Sequence, residues 1–368
     1  MVGLSYQSLS TVLQHMEANC RFDVSSRLPS IRNLEQRVPL KIHRLCFDDT
    51  LLKVNDTIYK LSVCIDHPNT APGISTFDFD VASDGWRELR HQVELLPGDV
   101  VSMSQEEFMK LIKNRVYSIE KERKGPIPSS YFGIILTKTT LKGEEKERVT
   151  YSRKLHVAEK YLISKLLGDR SLIHVKRMEI NKVPKLQGLI FLRLPVGVKY
   201  RIQELEIVYC NIFHFLDEFI DTSSYPLKEL EVPVKDTIRT HPTFIAAERL
   251  VLSNESGNHP RLDVYLSLTN KTIDFGYQFF VFMEFFGFIC RLIKNWTIEG
   301  KSRGTCWTFR ATNEEIFYWL KGWSRHMKGS VVGERYISIP INDTISKLQI
   351  IWYLNAPMVR WSLLLSVV

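Results

Sequence analysis

IQELEIVYCN (Ile202–Asn211), LKELEVPVKD (Leu227–Asp236) and AERLVLSNES (Ala247–Ser256) repeat one spacing. In the first, Ile202, Leu205, Ile207 and Cys210 fill the pattern L-x-x-L-x-L-x-x-N/C. Leu227, Leu230 and Val232 fill its first three places again, and Ala247, Leu250 and Leu252 do so more weakly. The offsets between the central leucines are 25 and 20 residues. A strand that buries every second side chain, recurring at such a period, stacks on its neighbours in an array. Between the first two units, IFHFLDEFI (Ile212–Ile220) has helical spacing. The stretch therefore predicts a short leucine-rich-like solenoid or a parallel sheet with one covered face. Ordinary αβ alternation also fits three degenerate units.

Outward toward the C-terminus, FFVFMEFFGFICRLI (Phe279–Ile293) is apolar around its whole circumference. A spanning helix needs about 20 apolar residues. This run is shorter and holds Glu284 and Arg291, so it reads as a core helix. CWTF (Cys306–Phe309) reads as a strand. Thr312 and Glu315 make a capping box ahead of Ile316, Leu320, Trp323 and Met327. ERYISIPIND and SKLQIIWYL read as closing strands.

Toward the N-terminus, Ser104 and Glu107 cap a helix carrying Phe108, Leu111, Ile112, Val116 and Ile119. A charged helix is predicted from about Glu144 to Leu167, with Leu155, Ala158, Leu162 and Leu166 as its buried line. Pro39 to Ile65 alternates short apolar runs with Asp48-Asp49 and Asn55-Asp56 turns, the pattern of an antiparallel meander. Leu4 to Gln36 reads as two or three short helices. Leu9, Val12, Leu13 and Met16 stand there at i, i+3, i+4 and i+7, one stripe of a helix.

The composition, 44% apolar and 24% charged over 368 residues, is that of a globular chain. The formal charge of +8 permits an acidic partner. Lysines and arginines are interleaved with acids, as in Glu144-Glu145-Lys146-Glu147-Arg148, which argues for solvated faces over a nucleic-acid groove. The six cysteines make no CxxC pair, and together with the lack of an export-type N-terminus they point to reduced thiols inside a cell, in cytoplasm or nucleus. No nucleotide-binding, hydrolase or zinc-protease motif is present, and no histidine has metal spacing. His156 and His174 sit on periodic elements as structural residues, and Asp78 and Asp80 read as turn acids. The expectation is a non-catalytic protein with no cofactor and no metal.

The N-terminal stripe is similar to an F-box, whose L-P-x-x-[IV]-L-x-x-[IV]-L-x-x-L series falls on Leu4, Leu9, Val12, Leu13 and Met16. Ser5 stands in place of the proline and Ser8 at an apolar position. The order LSYQSL, RLPSI, VPLKI, VNDTIYKL, LLPGDV, RKLHVAEKYL, then RLIKNWTIEGKSRGTCWTF and VVGERYISIPIND, resembles the nematode-expanded DUF3557 family, which includes the F-box C proteins. The resemblance implies a substrate adaptor of a cullin-type ubiquitin ligase. Leu4, Leu9, Val12, Leu13 and Met16 would dock a Skp-family linker, and the leucine-rich-like half would hold a target protein.

The expected fold is α+β: an F-box-like helical unit over residues 1–38, a β meander with loops over 39–103, a helical connector over 104–170, and a leucine-rich-like αβ domain over 171–368. An interaction module without a ligase partner is the competing reading, with a basic nucleic-acid binder behind it.

Overall fold

The computed structural model describes residues 6–65, 75–78, 95–101, 132–150, 154–170, 172–181, 190–233, 238–253, 262–276, 282–311, 314–341, 345–355 and 360–368. Leu4, Asp80, Thr312 and the helix expected after Ser104 lie outside these residues. The fold is α+β, and the chain forms two compact units. Unit 1 is Met1–Gln203 with Asn211–Ser224, and unit 2 is Glu204–Cys210 with Tyr225–Val368.

Unit 1 opens with helices α1 (Tyr6–His15) and α2 (Ala18–Arg27), a 3-10 turn at Pro29–Ile31 and α3 (Arg32–Arg37). The Glu17 carboxylate caps α2 by accepting from the Asn19 and Cys20 amides. Strands β1 (Leu40–Asp48), β2 (Leu51–Val54) and β3 (Thr57–Ile65) then pair antiparallel. Asn55 makes the second reversal in the left-handed region, at φ 54°, a conformation that asparagine tolerates. Strand β4 (Ser75–Phe77) pairs with β3.

Strands β6 (Phe132–Thr140) and β7 (Gly143–Thr150) continue the sheet from β3. A helix was expected from about Glu144, but Gly143–Thr150 is a strand and the helix, α4 (Leu155–Leu167), begins at Leu155. Alternating charges satisfy a sheet edge as well as a helix face. Here Lys138 faces Glu145 and Thr137 faces Lys146 across the pair, and Lys146 bonds Glu144 at 3.0 Å along one face. Buried Ile134 and Ile135 on β6 tie the hairpin to the core, while charge on β7 blunts the edge. Gly168 closes α4 where a Cβ would strike the Ser164 carbonyl. Strand β8 (Leu172–Ile180) runs parallel to β1. Strands β5 (Asp99–Val101) and β9 (Phe191–Arg193) form a separate pair. The buried Asp99 carboxylate joins that pair to α4 through Lys160 at 2.8 Å, and it also bonds Arg193.

Unit 2 is built on parallel strands. The end of β10 (Lys199–Ile207), then β11 (Glu229–Pro233), β12 (Arg249–Ser253), β13 (Thr272–Phe275) and β14 (Cys306–Ala311) pair in sequence order, all parallel. The register aligns Leu205, Leu230, Leu250, Ile273 and Trp307 in one buried row. Val232, Leu252, Phe275 and Phe309 form the next. Helices α5 (Pro242–Ala246), α6 (Leu262–Leu266), α7 (Phe282–Glu299) and α8 (Glu315–Ser324) lie between or after the strands. Tyr265 of α6 meets Phe275 at 5.5 Å, Trp296 of α7 meets Trp307 edge-on at 4.9 Å, and Phe285 and Phe288 of α7 meet Phe309. These helices therefore cover the face that holds the apolar rows. Asn270 locks α5 to the next strand by donating to the Phe244, Ile245 and Ala247 carbonyls. Strands β15 (Val331–Val332), β16 (Tyr336–Pro340), β17 (Lys347–Asn355) and β18 (Arg360–Val367) close the unit antiparallel, with β18 against β14.

Candidate recognition surface

Alternation along a strand sends the residues between the apolar rows to the opposite face. In unit 2 that face carries Glu204, Glu229, Arg249, Thr272 and Cys306 in one row, and Glu206, Glu231, Val251, Asp274 and Thr308 in the other. Through β18, β17 and β16 the second row continues as Leu364, Ile351 and Tyr336. Parallel sheets are normally apolar on both sides because helices cover both. Here the second face is charged at one end and carries aromatic and aliphatic groups at the other, and Tyr336 and Tyr353 stand well exposed.

An ionic node sits at its centre. Arg249 donates to Glu229 Oε2 at 3.0 Å and to Asp274 Oδ2 at 3.1 Å, and Arg310 approaches the same Asp274 oxygen at 3.7 Å. With Arg249 about half exposed, such pairs contribute roughly 0–1 kcal/mol each. They fix side-chain positions on the face more than they stabilise the fold. Glu229 and Arg249 directly precede Leu230 and Leu250 in the repeated spacing, which places them on this face, while Asp274 and Arg310 lie outside the three repeats.

The N-terminal stripe divides. Leu13 is fully buried in a cluster with Leu34 and Val38, and Leu9 and Met16 pack on that cluster. Val12 points elsewhere and is 44% exposed, as Tyr6 is at 63%. Leu4 lies outside the described residues. The head is tied down by polar contacts as well. Asn19 donates to the Val54 carbonyl and accepts from the Tyr59 hydroxyl, both at 2.9 Å, and Lys138 bonds Asp23 at 2.6 Å.

No group of metal-ligating side chains is present among the described residues. His156 is buried on α4, and burial lowers the His174 pKa with Arg201 and Lys41 adding to the effect. Burial in α7 pushes the Cys290 thiol up to about 11. Cys20 on α2 is exposed. At neutral pH, iodoacetamide should label Cys20 first, with Cys290 slower by on the order of a hundredfold because its thiolate is scarce. Peptide mass spectrometry over a time course reads this directly, and equal rates would mean that α7 opens readily.

The fold and face define a class: an α+β protein with a parallel ladder whose apolar face is covered by helices. Within it, residues 154–313 carry a match to the family described as Domain of unknown function (DUF3557), which spans α4, β8 and the parallel ladder through β14. No curated protein and no solved structure matches the chain. No helix among the described residues is long and apolar enough to cross a membrane.

Proposed function

We propose that this chain is a non-catalytic recognition adaptor of a cullin-type ubiquitin ligase, acting inside the cell. Its open ladder face holds a target protein, and its N-terminal head engages a Skp-family linker. The observation that carries the reading is the ladder. Five parallel strands commit their inner positions to the core, and the first four carry Glu204, Glu206, Glu229, Glu231, Arg249 and Asp274 on the other face. Such faces serve as extended binding surfaces in stacked-repeat proteins. The F-box-like spacing supports the head's role, and Val12 is the exposed member of its stripe.

Burial of Leu13 favours the second reading, an interaction module with no ligase partner, because a residue that fills its own core is unavailable to a linker. A nucleic-acid role gains nothing from a ladder whose first two strands present Glu204, Glu206, Glu229 and Glu231.

The test is a pull-down of wild type, Val12→Glu and Glu229→Lys/Glu231→Lys with purified Skp-family linker, followed by one from cell lysate. The adaptor reading expects Val12→Glu to lose the linker while the double variant keeps it and loses the co-purifying target proteins. Val12→Glu should stay within about 1 kcal/mol of wild-type stability because Val12 is exposed, and circular dichroism checks the double variant, whose Glu229 is mostly buried beside Arg249. A folded wild type that ignores the linker would leave the interaction-module reading in its place.

A further inference from the structure

A cleft of about 180 Å³ lies within unit 1, where α2, α3 and α4 meet the β6–β7 hairpin. Its inner wall is apolar: Phe22, Tyr59, Leu162 and Leu166 line it and are each more than nine-tenths buried. Its polar side holds Arg32, Lys165 and Arg170. Arg170 is itself more than nine-tenths buried. Its Nη2 reaches both Glu35 carboxylate oxygens, at 2.8 and 2.7 Å, and its Nη1 reaches the Glu35 carbonyl at 3.1 Å. The Nε–H, on another edge of the same fork, has no acceptor among the described residues. A buried N–H on a permanent cation is costly to leave unpaired.

The charge around the cleft has one sign in excess. Glu35 is shared by two guanidiniums, since Arg21 bonds it at 2.9 Å from behind. Asp23 is taken by Lys138 at 2.6 Å. Glu147 is the remaining carboxylate of the lining and is exposed, as Arg32 and Lys165 are. The volume is below the roughly 300–1,000 Å³ of drug-sized sites, so the occupant is small.

We propose that this cleft binds a small organic carboxylate with an apolar body, such as an aromatic or branched aliphatic acid. The body lies on Phe22, Tyr59, Leu162 and Leu166, and the carboxylate accepts from Arg170 Nε with Arg32 and Lys165 beside it. The site is separate from both surfaces of the adaptor reading and stands or falls independently of it.

Calorimetric titration of the full chain tests this with benzoate, its neutral isostere benzamide, and inorganic phosphate. Benzoate should bind saturably and more weakly as salt rises. Benzamide should bind about tenfold less tightly, the scale of losing charge-assisted hydrogen bonds. Arg32→Ala/Lys165→Ala removes exposed groups, leaves the circular dichroism unchanged, and should also weaken benzoate about tenfold. Absence of saturable benzoate binding by folded wild type would overturn the proposal, as would equal affinity for benzamide or indifference to the double variant. Phosphate binding tighter than benzoate would overturn it too, by showing that the apolar wall contributes nothing.

Discussion

Replacing Glu35 with alanine is expected to remove about 3–5 kcal/mol of stability from unit 1, the cost of taking one partner out of a buried charge network. Glu35 is 1% exposed and lies between Arg21 at 1% and Arg170 at 7%. Arg21 also donates to the Glu35, Val38 and Pro39 carbonyls at 2.7, 2.8 and 2.8 Å, which are acceptors at and just beyond the end of α3. Burial lowers the Arg21 pKa, and Arg170 beside it lowers it further. An arginine still stays charged at neutral pH, so without Glu35 two like charges remain out of water. The expected loss is a large share of the 5–15 kcal/mol typical of a domain. Replacing all three by apolar residues of similar size should recover only part of it, because the Glu35, Val38 and Pro39 carbonyls that Arg21 serves would lose that donor. Six of the seven tryptophans lie between residues 296 and 361, so fluorescence follows unit 2. Hydrogen exchange of unit 1 amides in urea is the suitable measurement. A loss under about 1 kcal/mol for Glu35→Ala would mean that water reaches the cluster.

That network also shows which parts of the molecule the sequence could not reveal. Arg21, Glu35 and Arg170 are ordinary charged letters, and 135 residues separate Glu35 from Arg170. Only the fold brings them together. The rungs at Leu205, Leu230 and Leu250 were legible because a strand with one buried face must alternate, and the alternation recurred. The rung at Ile273 and Phe275 was not read, since β13 has four residues and its row neighbours on β14 are the aromatic Trp307 and Phe309. The hairpin at 132–150 was missed for a different reason. Glu144 to Arg148 shows opposite charges at spacings that suit a helix face and a strand edge alike, and the β-branched Thr137, Thr139 and Thr140 upstream were the overlooked discriminator. The charged ladder face was invisible as a site. Each glutamate, read alone, is a solvated residue, and it becomes part of an array only when parallel register stacks it on the next.

The N-terminal stripe poses the sharpest form of this problem, because an apolar stripe announces that something will cover it and not what. Leu13→Glu should therefore cost more than about 4 kcal/mol, since it removes a fully buried leucine and leaves a carboxylate among Leu34, Val38, Leu9 and Met16. Val12→Glu, one residue away and 44% exposed, should cost about 0.5 kcal/mol or less. The pair separates core from interface within a single helix. Loss of α1 and α3 protection in Leu13→Glu, with Val12→Glu native, makes Leu13 part of the chain's own core. Linker binding, if present, must then run through the Val12 side of α1. A Leu13→Glu protein that keeps native exchange and loses a linker would place that side chain in an interface and return the whole stripe to the docking role its spacing suggests. Binding that survives both substitutions would move the linker contact off α1 altogether, and the F-box-like spacing would then describe only how these helices pack against the meander.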